Sequence, residues 1–190
     1  MPESSLLLRY NREVYRIAQE ISEQRIHWNR HMQAFKRTAL CRSGSYSDSQ
    51  MAAYVAEQHV TQIVKARHRS LKEQCVPHPI PQGAATQHYS FLYEHGELRI
   101  ESIQEKRVIA GIDLLVQAEG LPVVIEVKTR LRMDGGAGSI ETYLKPKAIC
   151  QRLEPLQEYF GGSVNGYGYL LVVFPDLARD RALRYFKQMG

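Results

Sequence analysis

The sequence predicts an α/β fold, with a mixed central sheet flanked by helices and a helical extension in front. Three observations predict it. Apolar residues recur at three- and four-residue spacing over 6–40, 50–74 and 145–160, the period of helices with one buried face. Between the second and third of these stretches lie short, β-branched apolar runs punctuated by glycine and proline, which is the pattern of strands and turns. A further run, Tyr169-Leu170-Leu171-Val172-Val173-Phe174, is apolar throughout and reads as a strand covered on both faces.

In the first helical stretch Leu6, Tyr10, Val14, Ile17, Ile21 and Trp28 form the stripe, with Arg9, Arg12, Arg16, Arg25, Arg30, Lys36 and Arg37 mostly between them. The stripe packs on the main domain; the basic face is solvated or lies along phosphates. The serine-rich break at 42–49 is a loop, and Asp48 or Ser49 caps the next helix. In that helix, 50–74, Ala53, Glu57, Val60 and Val64 share a face, so a carboxylate stands inside an apolar stripe. His59, Lys65, Arg67, His68, Arg69 and Lys72 decorate the rest. Residues 1–48 are thus a basic helical extension and residues 49–190 the main domain.

Pro77, Pro79, Pro81 and Gly83 mark a loop. Tyr89–Tyr93 and Glu97–Ile100 flank His95-Gly96 as a hairpin. Gly111–Val116 and Val123–Lys128, joined at Glu119-Gly120, form a second one. The glycine-rich stretch 131–142 keeps no apolar period and reads as a loop. Pro146 suits the first turn of a helix over 145–160, in which Ile149, Leu153, Leu156 and Phe160 lie on one side and Pro155 predicts a kink or a split. Asp176 caps a last helix striped by Ala178, Ala182, Tyr185 and Met189.

Composition narrows the function classes. No run of about 18 apolar residues exists, so no membrane helix is expected. The three leucines Leu6–Leu8 are too short a run for a signal-peptide core. Cys41, Cys75 and Cys150 lie far apart without a CxxC pattern, which argues against a disulfide framework or a zinc site and makes a reducing cytoplasm the expected compartment. The seven histidines show no compact grouping; His27 and His31, one turn apart, read as surface. A net charge of +5 permits a nucleic-acid partner without requiring one.

The chemistry concentrates in the second hairpin. Asp113, Glu126 and Lys128 interrupt its apolar strands. Residues two apart face the same way in a strand, so Glu126 and Lys128 project together, Val127 projects oppositely, and the hairpin brings Asp113 alongside. Charges among β-branched neighbours are costly unless paired or used. Mg²⁺ takes oxygen ligands, typically one or two carboxylates with water and substrate phosphate. Asp113 and Glu126 suit it, the Val127 carbonyl adds an oxygen, and Glu57 on the preceding helix can ligate the ion or hold a bound water. Lys128 can orient or deprotonate water, or offset charge on a phosphoryl oxygen. The alternative is a solvated Glu126–Lys128 ion pair on an edge strand.

Gly111-Ile112-Asp113, twelve residues, then Glu126-Val127-Lys128 resembles the PD-(D/E)XK nuclease superfamily, in which an acidic residue starts one strand and E-x-K closes the next. The look is closest to archaeal Holliday-junction resolvases and related restriction-like endonucleases. The resemblance covers the element order of about residues 50–189, with Ile112 where the family often has proline. It implies a restriction endonuclease-like αβββαβ core, Mg²⁺-dependent (or Mn²⁺-dependent) hydrolysis of phosphodiester bonds in DNA, catalysis by Glu57, Asp113, Glu126 and Lys128, and metal held by Glu57, Asp113, Glu126 and Val127.

Arg130 and Arg132, which prolong the catalytic strand, and Lys145, Lys147 and Arg152, after the glycine loop, are candidates to grip the nucleic-acid backbone; a solvated helix face is the other reading of the last three. Tyr143 is suited to stack on a base or to pack. The apolar helix 6–28 is suited to pairing into a homodimer. Two rival functions stand beside the DNA nuclease. One keeps the site and takes RNA; the other is a nuclease-like module that binds nucleic acid or protein without turnover.

Overall fold

The computed structural model describes residues 8–71, 74–94, 96–129 and 143–174. The expected glycine-rich loop at 131–142 and the last helix after Asp176 lie outside them. The architecture is mixed α/β. Among the described residues no helix is long and apolar enough to cross a membrane.

The expected single helix over 6–40 is instead three: α1 (Arg12–Glu23), α2 (Trp28–Phe35) and α3 (Ala39–Ser43). Local capping explains the breaks. The Asn11 side chain accepts from the Val14 N–H at 2.9 Å and starts α1; Gln24 turns extended and ends it. Thr38 accepts from the Cys41 N–H at 3.1 Å and starts α3, which Gly44 ends at φ +68°. Helix α4 runs Asp48–Leu71. Its cap is neither Asp48 nor Ser49 but Ser47. The Ser47 hydroxyl accepts from the Gln50 N–H at 3.2 Å, and the Gln50 carbonyl oxygen accepts from the Ser47 N–H at 2.8 Å, a reciprocal capping box.

Seven strands follow in two sheets. Strands β1 (Cys75–Pro77), β5 (Leu114–Ala118), β6 (Leu121–Lys128) and β7 (Gly168–Val173) form one in the order β1-β5-β6-β7, antiparallel except for the parallel β6–β7 pair. Strands β2 (Tyr89–Glu94), β3 (Glu97–Ser102) and β4 (Arg107–Ile112) form a separate antiparallel sheet. The first hairpin is thus β2–β3, as expected. The proline-rich segment, expected as loop alone, begins with β1, because Pro77 falls at the strand's last residue. The β5–β6 hairpin turns on Glu119 and Gly120, both at positive φ (+47° and +81°), the geometry of a tight two-residue turn that follows strand twist.

The expected single strand Gly111–Val116 is broken at Asp113: β4 ends at Ile112 in the three-stranded sheet and β5 begins at Leu114 in the four-stranded one. Asp113 is the residue at which the chain passes from one sheet to the other.

Two cores sandwich the four-stranded sheet. On one face Val123, Ile125 and Val127 of β6 meet Val14, Ile17 and Ile21 of α1 and Ala56, Val60 and Val64 of α4. On the other, Val124 of β6 and Leu115 of β5 meet Leu153 and Leu156 of α5 (Pro146–Phe160) and Phe91, Leu98 and Ile100 of the smaller sheet. Helix α5 runs unbroken through Pro155, which is buried on this side. Strand β7 touches both cores, yet Leu170–Val173 are half-buried, because β7 is the outer strand of its sheet among the described residues.

Candidate active site

Side chains on β6 alternate, and Glu126 and Lys128 emerge on the face of Val124, toward α5 and the smaller sheet, while Val127 is buried in the opposite core. The Asp113 carboxylate closes the end of the β5–β6 ladder. One of its oxygens, Oδ2, accepts from the Val127 N–H at 2.6 Å and from Lys128 Nζ at 2.9 Å. Lys128 Nζ also lies 3.1 Å from Glu126 Oε2. The ammonium therefore bridges both carboxylates, so the three residues that sequence spacing brought together do meet. The Glu126 side chain is 2 % exposed, against 15 % for Asp113 and 20 % for Lys128. This is not a solvated surface pair.

Two further groups fix the triad. Arg152 of α5 donates Nε–H to Glu126 Oε1 at 2.8 Å and also donates to the Ala148 carbonyl at 2.9 Å. The Tyr143 ring lies 5.1 Å from Lys128 Nζ, within cation–π range, and its backbone carbonyl accepts from the Tyr169 hydroxyl at 3.3 Å. Arg152, expected to grip phosphate or to be solvated, instead holds a carboxylate. Lys145 and Lys147 are exposed at the start of α5. Arg130 and Arg132 lie outside the described residues.

Electrostatics tie Glu57 to the site. Desolvation, reinforced by the charge of Asp113, pushes its carboxyl up to about 7. Glu57 lies at the margin of the buried stripe, not within it; the buried positions of α4 include Met51, Ala52, Val55, Ala56, His59, Val60, Ile63 and Val64. Glu126 is also raised, by burial and then by Asp113. Burial opposes the Lys128 ammonium, but Asp113 and Glu126 outweigh it and hold lysine above its usual range.

A residue that sequence reasoning missed is Glu97 at the start of β3. Its carboxyl is raised by burial and by Asp113. It lies directly over Gly111, where a Cβ would collide with its carboxylate. Glu97 was legible only as a strand residue; the glycine opposite Arg99, two positions along β3 at Gly111↔Arg99, was the available signal. Glu57 and Glu97 together border a cavity of about 830 Å³ between α3, α4 and β3.

Among the described residues, no three His, Cys, Asp or Glu side chains stand close enough together to hold a metal ion. The donors that do meet, Asp113 and Glu126 around one cation, match the one or two carboxylates that Mg²⁺ takes when water and phosphate complete its shell. Glu57 acts on this pair through its field. The Val127 N–H is bound to Asp113.

Outside the site, three α4 and α2 residues differ from expectation. His31 and His59 are buried, at 1 % and 3 % exposure, their rings edge-to-face with centroids 5.8 Å apart. Burial lowers both, His31 to about 4. Arg67 is paired with the fully buried Glu13, through Nε at 2.5 Å and a second nitrogen at 2.8 Å, and also with Glu20.

Comparison with protein-family models, with curated proteins and with solved structures found no match.

Proposed function

We propose that this protein is a metal-dependent endonuclease that hydrolyses phosphodiester bonds in DNA, with the restriction endonuclease-like core and site that its resemblance to the PD-(D/E)XK superfamily implies. The observation that carries the reading is the convergence of Asp113, Glu126 and Lys128 from adjacent strands at a sheet-to-sheet crossing, largely withdrawn from water. Three charges there are hard to explain as surface decoration.

In this reading Asp113 and Glu126 hold the cation, which when bound polarises a phosphoryl oxygen and acidifies its water. Arg152 keeps the Glu126 carboxylate in one orientation. Lys128, positioned over Tyr143, presents an ammonium to the phosphoryl oxygen on which charge develops. Glu57, raised by burial and then by Asp113, is placed to hold a water or to become a further ligand once deprotonated. Exposed Lys145 and Lys147, with Arg130 and Arg132, are the proposed backbone contacts, and a homodimer in the cytoplasm is compatible with the composition.

One observation favours a second reading. Asp113 and Glu126 are each bound by a cation of this same chain, as a purely structural ion network would be. In that case the domain binds nucleic acid or protein without turnover.

The test is a panel of labelled DNAs (linear duplex, single strand, nicked, flap and four-way junction), with matched RNA competitors, in Mg²⁺, Mn²⁺ or EDTA. Wild type is compared with folded Asp113→Ala, Glu126→Ala and Lys128→Ala. Metal-dependent cutting lost in all three is the expected result. Cutting unchanged in any of them refutes the assignment; cutting confined to RNA changes the substrate; binding without cutting selects the second reading.

A further inference from the structure

The cavity beside the carboxylates is not explained by the reading above. Among the described residues its lining includes Tyr54, Gln58 and Ala53 of α4, Thr38 before α3, and Glu57 and Glu97, both of which feel the charge of Asp113. The described lining carries no lysine or arginine. Among the described lining a phosphate meets no counter-charge, and Glu57 and Glu97, where ionised, would repel it. Nucleobases are uncharged, flat, and bear donors and acceptors on their edges. Tyr54 offers an aromatic ring, itself held against Phe35 at 5.4 Å between centroids. Base–aromatic stacking is the usual way an unpaired base is held. Gln58 brings an amide with both a donor and an acceptor, the group that matches base edges. Thr38, Ser43 and Gln50, which also line the cavity, each make local backbone hydrogen bonds, so the Gln58 amide is the polar contact at issue. A base paired in a duplex cannot enter a pocket bounded by α3, α4 and β3; it must be unpaired or extruded.

We infer that this cavity receives a single unpaired nucleobase next to the phosphodiester positioned at Asp113, Glu126 and Lys128, which makes the protein selective for DNA with unpaired nucleotides. The inference rests on the nuclease reading for the position of the phosphate. The base lies on the α4 side and stacks on Tyr54. Its sugar-phosphate lies on the Lys128 side, where Lys145 and Lys147 stand exposed at the head of α5.

Three otherwise identical labelled duplexes test it in Mg²⁺: fully paired, with one bulged thymidine, and with a bulged abasic nucleotide. The abasic bulge bends the backbone but has no base to offer. The bulged thymidine is expected to be cut on the order of tenfold faster than the abasic bulge, the scale of one stacked base. Ala53→Phe, which fills the cavity, and Gln58→Leu are expected to collapse that ratio toward one. A ratio of one in wild type overturns the pocket and leaves the nuclease standing.

Should no DNA be cut, binding decides separately. A bulged 2-aminopurine duplex in EDTA is expected to lose fluorescence on wild type through stacking, and to keep it on Ala53→Phe. Fluorescence unchanged on wild type overturns the pocket whatever the fate of the nuclease reading.

Discussion

Lys128→Met separates a metal site from a structural ion network. The substitution keeps side-chain length and removes the cation that bridges Asp113 and Glu126 at 2.9 and 3.1 Å. Breaking a buried pair by removing one partner costs about 3–5 kcal/mol, because the other charge stays buried. Asp113 retains 15 % exposure and Glu126 keeps Arg152, so the low end, about 3 kcal/mol, is expected. For a chain of this size that lowers Tm by about 6–12 °C. Two facing carboxylates without their lysine are then a better cation site than in wild type. At a Mg²⁺ concentration about a hundredfold above Kd, binding to the native state returns about 2.7 kcal/mol, or about 5–11 °C. The assay is thermal melting of wild type and Lys128→Met in EDTA and across a Mg²⁺ titration. A Tm drop in EDTA that Mg²⁺ reverses fits the site as argued. The same drop with no response to Mg²⁺ or Mn²⁺ refutes the idea that these carboxylates accept a divalent ion.

Glu57 is held neutral by its surroundings up to about pH 7, so the native state binds the extra proton that the unfolded chain has lost above its ordinary carboxylate range. Stability contributed there falls as pH rises through 7, and Glu57→Gln is expected to raise stability at pH 8, by up to about 3 kcal/mol, with little effect at pH 4; denaturant melts at both pH values check it. His31 has the opposite proton balance. Its native value near 4 lies below the unfolded 6.5, so the unfolded chain takes up a proton first as pH falls. Up to about 3 kcal/mol is lost between pH 6.5 and 4, and His31→Phe is expected to flatten that limb in urea titrations. Arg67→Met strands the buried Glu13 carboxylate and is expected to cost about 3–5 kcal/mol, whereas Glu13→Leu with Arg67→Met recovers most of it; equal losses in the single and double variants would contradict the pairing.

The period of apolar residues made α4, α5, both hairpins and the apolar β7 strand legible, since each depends on local spacing alone. The E-x-K alternation likewise fixed which face of β6 carries Glu126 and Lys128. What stayed hidden depends on partners far away in sequence. Asp113 reads as the interior of an apolar strand; that it ends one sheet and opens another follows from its bond to the Val127 N–H, fourteen residues on. Arg152 reads as a free helix cation until Glu126, 26 residues earlier, is placed beside it. Arg67 and His59 sat among polar neighbours on a helix that turned out to be covered by α1 and α2 as well as by the sheet. The starts of α1 and α3 were in the sequence, at Asn11 and Thr38, but their capping role competes with a stripe that runs on past them.

The charges at the centre also connect the two functional readings. Asp113 and Glu126 are matched by Lys128 and Arg152, so the site is neutral and satisfied as it stands. A divalent cation brings two positive charges to the same two carboxylates. In the proposed reading Lys128 and Arg152 would then share their carboxylates with the ion, and their positive charge would be offset by an approaching phosphodiester. Under the proposed nuclease reading the ion network would be the resting form of a phosphate site. Salt dependence distinguishes the cases. With Mg²⁺ present, DNA affinity should fall more steeply with salt than in EDTA, because more protein cations neutralise phosphates; for duplex DNA each added contact steepens the logarithmic slope by about 0.9. Equal slopes with and without Mg²⁺ would mean that Lys128 and Arg152 never leave their carboxylates, and would favour a network that only braces the sheet crossing at Asp113.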